Sequence, residues 1–373
     1  MKKIKHLMIW IGLLLSLVSC KDTMEAIGLG GDEIPAEGLV LNLQLTNFTK
    51  QQIGTRAGAS ETVKSLWAVF YGDNNEYKGK TDCYSTLSQQ PDGSYKVKIT
   101  NVPAGTKNVH LVANASDMTD AEAQDLQSLT AAKERAPQLD APICWGKISI
   151  DKLLEANPSV TMLRQCAKIS LEIDNSIQSN FTNAGLYVYN TATKAAIAPA
   201  NYIEPTTDDL AESTDLRTDN PLGGGTATTV AVNETSAGKA MVIIKANYKD
   251  SVGHAREGYY KVALYKDANK TTQYALLRNH HYTIKVTKVN DYGFSTLEEA
   301  KKSLPENRLE VEVRDDNPEI TRMIACKDYE LGVSDYQEIN ANTTEATVTI
   351  VTTLPKATSS DSALYSVTKN DSW

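Results

Sequence analysis

The motifs that mark common enzymes and metal sites are missing from this chain of 373 residues. It has no G-x-S-x-G nucleophile elbow, no phosphate-binding loop, no H-E-x-x-H zinc motif and no C-x-x-C pair. Only 5 histidines are present. The one adjacent pair, His280 and His281, would point to opposite faces of a strand and could not easily share a metal ion. The sequence therefore predicts no enzymatic activity, no cofactor and no metal.

Excess positive charge and long apolar runs are also lacking. The 38 Lys and Arg residues are outnumbered by 46 Asp and Glu, for a net charge of −8, which would repel a phosphate backbone and argues against nucleic acid as a partner. No long apolar run follows residue 18, so no membrane span is expected beyond the N-terminus. Cysteines are few, and besides Cys20 there are four, which leave disulfides and buried thiols equally open as interpretations: Cys83, Cys144, Cys166 and Cys326.

The N-terminus carries an export signal. Three lysines precede an almost wholly apolar run over residues 7–18, which is short for a bilayer span but typical of a secretory signal. The run ends in "LVSC", which resembles the lipobox of bacterial lipoproteins. In that type of signal the thiol of Cys20 is lipidated, and Cys20 becomes the first residue of the mature protein. The alternative is an ordinary signal peptide with a chance cysteine at its boundary.

A strand with one strongly apolar face follows a glycine-rich tether. Leu39, Leu41, Leu43 and Leu45 alternate with other residues, which is the period of a β-strand. The next segment, "IGTRAGAS", places Arg56 alone among small residues. An exposed arginine in such a loop is a good substrate for an arginine-specific protease, although an ordinary solvated arginine is the simpler interpretation.

The rest of the chain predicts a mainly β protein. Short alternating segments at regular spacing favour antiparallel β-sandwiches, in two β-rich halves that meet near residue 160. A helix is predicted over residues 117–133, and a capping box formed by Ser295 and Glu298 predicts a short helix through Lys302. The polar stretch 201–236, with its three consecutive glycines, is predicted to be an exposed loop.

Taken in order, these features resemble the fimbrillin family, the subunits of type V pili of Bacteroidales. The resemblance covers roughly residues 1 to 320, and the segments that carry it are the lipobox, "GTRAG", "LWAVFYGDNNEYKG", "NVPAGTKNVHLVANAS" and "LRNHHYTIKVTKVNDYG". It implies two transthyretin-like β-sandwich domains with a few short helices. It also implies a surface fimbria that supports adhesion, and a precursor that is lipid-anchored in the outer membrane.

The resemblance further implies a route of assembly. An arginine-specific protease would cut between Arg56 and Ala57 and remove the strand at 39–45. The vacated groove would then receive a strand from another pilus subunit. The implied domain limits are a signal peptide 1–19, a tether and removable strand 20–56, sandwiches 57–160 and 161–320, and a C-terminal extension 321–373.

That extension leaves two interpretations open. Ala346, Val348 and Ile350 form a row with strand period that would suit a donor strand. The extension would otherwise open an additional β module, which would suit a tip or accessory subunit rather than a stalk subunit. A monomeric lipid-anchored surface protein that binds glycan or host protein is the alternative to a pilus subunit, and a secreted hydrolase is a third.

Overall fold

We describe the protein from a computed structural model of the full chain. The described residues are 38–45, 62–91, 93–199, 210, 215–266, 269–305, 308–316, 320–325, 330–334 and 350–352. Within these ranges the protein is mainly β, with nineteen strands and three short α-helices, which confirms the predicted fold class.

Eight strands form the first sheet. They are β1 Leu39–Leu45, β2 Leu66–Tyr71, β3 Tyr77–Asp82, β4 Ser88–Gln89, β5 Tyr95–Ile99, β6 Asn108–Ala113, β7 Cys144–Ser149 and β8 Ser159–Arg164. Their order is β3-β2-β6-β7-β8-β1-β5-β4, and only a two-residue pairing joins β7 to β8. The sheet therefore folds over at this joint, and Phe70 and Leu111 of one half share a core with Leu41 and Ile99 of the other. This is the first sandwich.

Two four-stranded sheets form the second sandwich. Their strands are β9 Cys166–Ile173, β10 Phe181–Tyr189, β11 Leu222–Gly223, β12 Thr229–Asn233, β13 Met241–Lys249, β14 Ala255–Val262, β15 His281–Val289 and β16 Leu309–Asp315. One sheet has the order β11-β10-β13-β14 and the other β12-β9-β15-β16. Side chains from both sheets, among them Leu186, Ile244, Ile169 and Ile284, fill the core between them.

A third, smaller sheet follows β16. It consists of β17 Ile320–Ala325, β18 Glu330–Ser334 and β19 Ile350–Thr352, which pair antiparallel in chain order. The predicted boundary between residues 160 and 161 lies within β8, which belongs to the first sheet. The limits of the domains stay a prediction.

The helices are α1 Asp120–Gln124, α2 Ile150–Leu153 and α3 Leu297–Lys302, and two 3-10 turns lie at Asp73–Asn75 and Tyr84–Thr86. The predicted helix 117–133 was too long. Thr119 caps α1 as expected, but the chain then turns back, so that Leu126 is buried and the Lys133 backbone N–H donates to the Glu122 carboxylate. These tertiary contacts end the helix after little more than one turn.

Two further predictions were wrong in detail. The capping box of α3 is formed by Thr296 and Glu299 rather than by Ser295 and Glu298. This frame starts the helix at Leu297 and lets Ala300 pack against Tyr189 of the second sandwich. The predicted loop 201–236 contains β12, whose Val230 and Val232 are buried. The alternation of apolar residues in β12 covers only five positions, and the polar, glycine-rich sequence before it led to the prediction of a loop.

Candidate functional site

The candidate site is the position of β1 within the first sheet. This strand lies between β5, with which it runs antiparallel through residues 39–43, and β8, with which it runs parallel through residues 42–45. Leu39, Leu41 and Leu43 are 6%, 0% and 1% exposed, whereas Val40 on the opposite face is 43% exposed. The predicted strand and its apolar face are confirmed, while its removal stays a prediction.

The position that β1 occupies, which we call the β1 slot, is both apolar and rich in backbone hydrogen-bonding groups. Each buried leucine contributes on the order of 1.5–3 kcal/mol through the area it removes from water. Without β1, the facing backbone groups of β5 and β8 would lose their partners, and an exposed strand edge of this kind readily pairs with another chain. The slot is therefore suited to hold an extended segment.

Two positions in and just before β1 depend on the residue type that occupies them: the absence of a side chain at Gly38 and the amide of Asn42. Gly38 has a φ of +86°, and a Cβ atom there would lie 2.6 Å from the carbonyl oxygen of Ile99. The Asn42 side chain donates from Nδ2 to the carbonyl oxygen of Pro158 at 3.3 Å. The backbone N–H of Asn42 donates to the same carbonyl at 2.9 Å. Both contacts fix the strand along its own axis.

The opposite face of the first sandwich carries a second apolar cluster. Residues that alternate with the core positions of β2, β6 and β7 point to this outer face, and Val69, Val112 and Trp145 form its floor. Residues 192–199, which follow β10 of the second sandwich, run across it, and we call them the strap. Ile197 of the strap is 1% exposed and Ala198 is fully buried in this cluster. The second sandwich thus holds the first from the side opposite to β1.

Buried polar contacts fasten the strap to the second sandwich, and a neighbouring contact joins the second sandwich to the first. Arg278, which is 2% exposed, donates to the carbonyl oxygens of Ala196 and Ile197 at 3.0 Å and pairs with Glu234 at 2.5 Å. The Asn279 side chain accepts from the backbone and the guanidinium of Arg164. Because a buried arginine without its partners would be strongly destabilising, the contacts of Arg278 hold the strap in one arrangement, while the contact between Arg164 and Asn279 links the two sandwiches.

Comparisons with known proteins show what the chain is similar to. No protein-family model matches the chain. The major fimbrium tip subunit FimE of Porphyromonas gingivalis is 24% identical over 230 residues, which are 54% of this chain and 40% of that relative. The chain is thus a distant relative of a fimbrial tip subunit. It covers less than half of the length of the curated relatives that it matches.

Two solved structures are also similar to the chain. A candidate cell adhesion protein from Bacteroides eggerthii aligns with a TM-score of 0.44 and 13% identity, over 76% of this chain and 97% of that chain. A fimbrial assembly protein from Parabacteroides distasonis aligns with a TM-score of 0.40 and 15% identity, over 75% and 99% of the two chains.

Several predicted site residues lie outside the described residues. These are Cys20, Arg56, Ala57, Ala346 and Val348. Ile350 is the first residue of β19, where it pairs with Val333 of β18. The backbone of this part of the predicted donor segment therefore lies in the third sheet, next to a strand from the same extension.

The adjacent histidines contact different partners, as expected for opposite faces of a strand. His280 Nδ1 lies 2.8 Å from Asp315 Oδ2, whereas His281 Nδ1 lies 3.2 Å from Asp316 Oδ2. His281 Nε2 also lies 2.9 Å from the Ser170 hydroxyl, so serine, histidine and aspartate stand in the order of a hydrolase triad, but His281 Nδ1 has no hydrogen-bond partner among the described residues.

The surroundings of this triad-like cluster favour a structural role. Ser170 lies within β9, between the paired strands β12 and β15, so the backbone N–H groups beside it serve the sheet rather than an oxyanion hole. Burial lowers the pKa of His281 to about 4, which makes it a poor base near neutral pH. We interpret these contacts as fixing the end of β16 on β15.

A buried histidine also lies beneath the outer cluster of the first sandwich. The Trp145 indole N–H donates to His110 Nδ1 at 3.2 Å, and the His110 ring lies 4.7 Å from that of Tyr71. Burial lowers the pKa of His110 to about 3, and the nearby positive charge of Lys147 acts in the same direction. His110 is therefore neutral in the folded protein at physiological pH. Sequence reasoning missed this residue because an isolated histidine in a strand carries no distinguishing pattern.

The remaining candidate chemistry is sparse. Among the residues with described placement, no group of three or more His, Cys, Asp or Glu could hold a metal ion. In the same ranges no helix has the length and apolar character that a bilayer span requires. Cys83, Cys144 and Cys166 are buried, and burial raises the pKa of Cys83 to about 11. Cys326 lies outside the described residues.

Proposed function

We propose that this protein is a structural subunit of a surface fimbria that is assembled by strand exchange between subunits. The observation that carries the proposal is the β1 slot, in which a strand with one buried leucine row pairs on both sides within the first sandwich. The fimbrial relative supports the same class of function. Other fimbrial subunits are the partners that this function requires.

The proposed precursor is an outer-membrane lipoprotein anchored through Cys20. An arginine-specific protease would cut between Arg56 and Ala57 and release the segment that contains β1. The first sandwich would then lack its internal strand, and a strand of another subunit would restore the lost pairing and apolar contacts.

A tip or accessory position suits the chain better than a stalk position. The extension after β16 begins a sheet of its own, β17-β18-β19, rather than a single extended strand. The curated relative is named as a tip subunit. We infer that residues 321–373 belong to a further β module and that the strand inserted into the β1 slot comes from another subunit.

The test is the N-terminal sequence of the protein in filaments sheared from the cell surface. Ala57 as the first residue is the expected result. Arg56→Ala should leave a longer, lipid-bearing form that does not enter filaments, whereas Lys50→Ala, a change in the same segment, should be processed normally. Filament-bound protein that begins at Cys20 in every preparation would contradict the processing step and favour a tethered surface protein.

A further inference from the structure

The leucine row alone cannot tell one donor strand from another. Alternating apolar residues also occur in other strands of this chain, for example in β15, so a slot that requires only such a row would accept many segments. Two other positions of the resident segment are more selective, because each requires one type of residue. They are Asn42 and Gly38.

Asn42 is the first residue of β1 that pairs with β8 in addition to β5. Pairing with β8 begins with Asn42 opposite Ser159, and pairing with β5 ends at the next residue, Leu43. The Asn42 amide is half-buried there and donates to the carbonyl oxygen of Pro158 at 3.3 Å. A strand displaced by one residue would present Leu41 or Leu43, neither of which can donate, and would also turn its apolar row to the other face.

Gly38 restricts the approach to the strand. Its φ of +86° is a conformation that favours glycine, and a Cβ atom would meet the Ile99 carbonyl oxygen at 2.6 Å. By contrast, Val40 and Gln44 are exposed on the other face of β1, so the slot makes few demands on their side chains.

We propose that the β1 slot selects a segment of another fimbrial subunit in which glycine precedes the apolar row and an amide side chain stands between its second and third apolar residues. The segment would read glycine, apolar, any, apolar, asparagine, apolar. This inference rests on the proposed strand exchange and adds to it the chemistry by which the incoming strand is recognised and its register is set.

The C-terminal segment of the chain itself fits this pattern poorly. If Ala346, Val348 and Ile350 are placed at the positions of the first three leucines, Glu345 falls at the glycine position and Thr349 at the asparagine position. The threonine side chain is shorter than that of asparagine, so its hydroxyl would not reach as far toward the Pro158 carbonyl. Glu345 would place a side chain where the backbone conformation favours glycine. The slot should therefore bind the segment 345–352 more weakly than the segment 38–45.

Labelled peptides can test this selection in the full-length chain. In a variant with Leu41→Asp and Leu43→Asp, the buried charges should expel β1 and open the slot to added peptide, with circular dichroism confirming the fold. The peptides are residues 38–45, the same sequence with Asn42→Val, Asn42→Asp, Gly38→Ala or Val40→Thr, and residues 345–352. Dissociation constants are measured by fluorescence anisotropy at pH 7.

Loss of one hydrogen bond predicts a dissociation constant about 2- to 10-fold higher for Asn42→Val, although valine is the better strand former. Asn42→Asp should bind more weakly still, because a carboxylate would face the Pro158 carbonyl without a proton to donate. Gly38→Ala and residues 345–352 should also bind more weakly, and the matched control Val40→Thr should stay within about twofold, since Val40 is largely exposed.

The outcomes separate this inference from the function on which it rests. If the parent and Val40→Thr peptides bind and Asn42→Val binds as tightly, the selection is wrong and strand exchange stands. If no peptide binds to the folded variant, both are wrong. If the Leu41→Asp, Leu43→Asp variant does not fold, the test is made in the full chain with its leucines intact, by measuring the rates of amide hydrogen exchange at Leu41 and Leu43. Asn42→Val should then accelerate exchange severalfold relative to Val40→Thr, and equal rates would overturn the proposal.

Discussion

Truncation of Leu41 measures how much the stability of the first sandwich depends on β1. Leu41 is fully buried in the core that also contains Phe70 and Leu111. Removing a buried leucine side chain forfeits its transfer free energy and leaves a cavity, together about 2–5 kcal/mol. Val40→Ala is the matched control on the same strand, and with 43% exposure it should lower the free energy of unfolding by less than about 1 kcal/mol.

The assay is urea unfolding of the full chain followed by two probes. Trp67 and Trp145 both lie in the first sandwich, so tryptophan fluorescence reports on it once Trp10→Phe and Trp373→Phe remove the other two indoles. Far-ultraviolet circular dichroism reports on both sandwiches, and the two curves need not coincide. A fluorescence midpoint that Leu41→Ala shifts no further than Val40→Ala would refute the idea that the leucine row of β1 stabilises the sandwich.

Three further predictions concern the residue that fastens the strap, a buried histidine and the extension. Arg278→Ala leaves Glu234 without its buried partner and should lower the free energy of unfolding by about 3–5 kcal/mol, as measured by urea unfolding. His110 stays neutral in the folded protein down to about pH 3, whereas the unfolded chain binds a proton below about pH 6.5, so stability should fall as pH falls through this window, by about 1.4 kcal/mol per unit. In thermal melts at pH 4 to 7, His110→Gln should flatten this slope, and an unchanged slope would contradict the prediction. Val348→Asp with Ile350→Asp should still permit high-molecular-weight ladders on mild-detergent gels, whereas their loss with a folded monomer would identify residues 345–355 as the donor.

Strands with clear alternation could be predicted from the sequence almost to the residue. β1 coincides with its predicted limits, because it presents one apolar face over seven residues. β12 was missed because its five residues follow a glycine- and threonine-rich stretch. The helix at 117–133 was overestimated because local propensity cannot anticipate that Leu126 is drawn into a cluster with the strap.

The candidate site was only partly accessible to sequence reasoning. The leucine row identified the strand, but its two neighbours, one antiparallel and one parallel, depend on which distant segments the fold brings beside it. The strap gave no signal, because "ATKAAIAP" has no strand or helix period and the burial of Ile197 and Ala198 arises only from contact with the first sandwich. The role of Asn42 likewise depends on the distant Pro158.

The passage from β8 to β9 has a mechanical consequence. A single residue, Gln165, separates these strands, so the chain crosses from one sandwich to the other almost without slack. β8 runs parallel to β1, and β9 runs parallel to β15. Tension applied along this path would load both ladders in shear, because their hydrogen bonds lie across the pull and must break together rather than one by one. If the proposed filament transmits tension through such crossings, it would resist flow until whole strands slide past each other. Its weakest element under tension would then be a strand held without a covalent link, such as one inserted into the β1 slot beside β8.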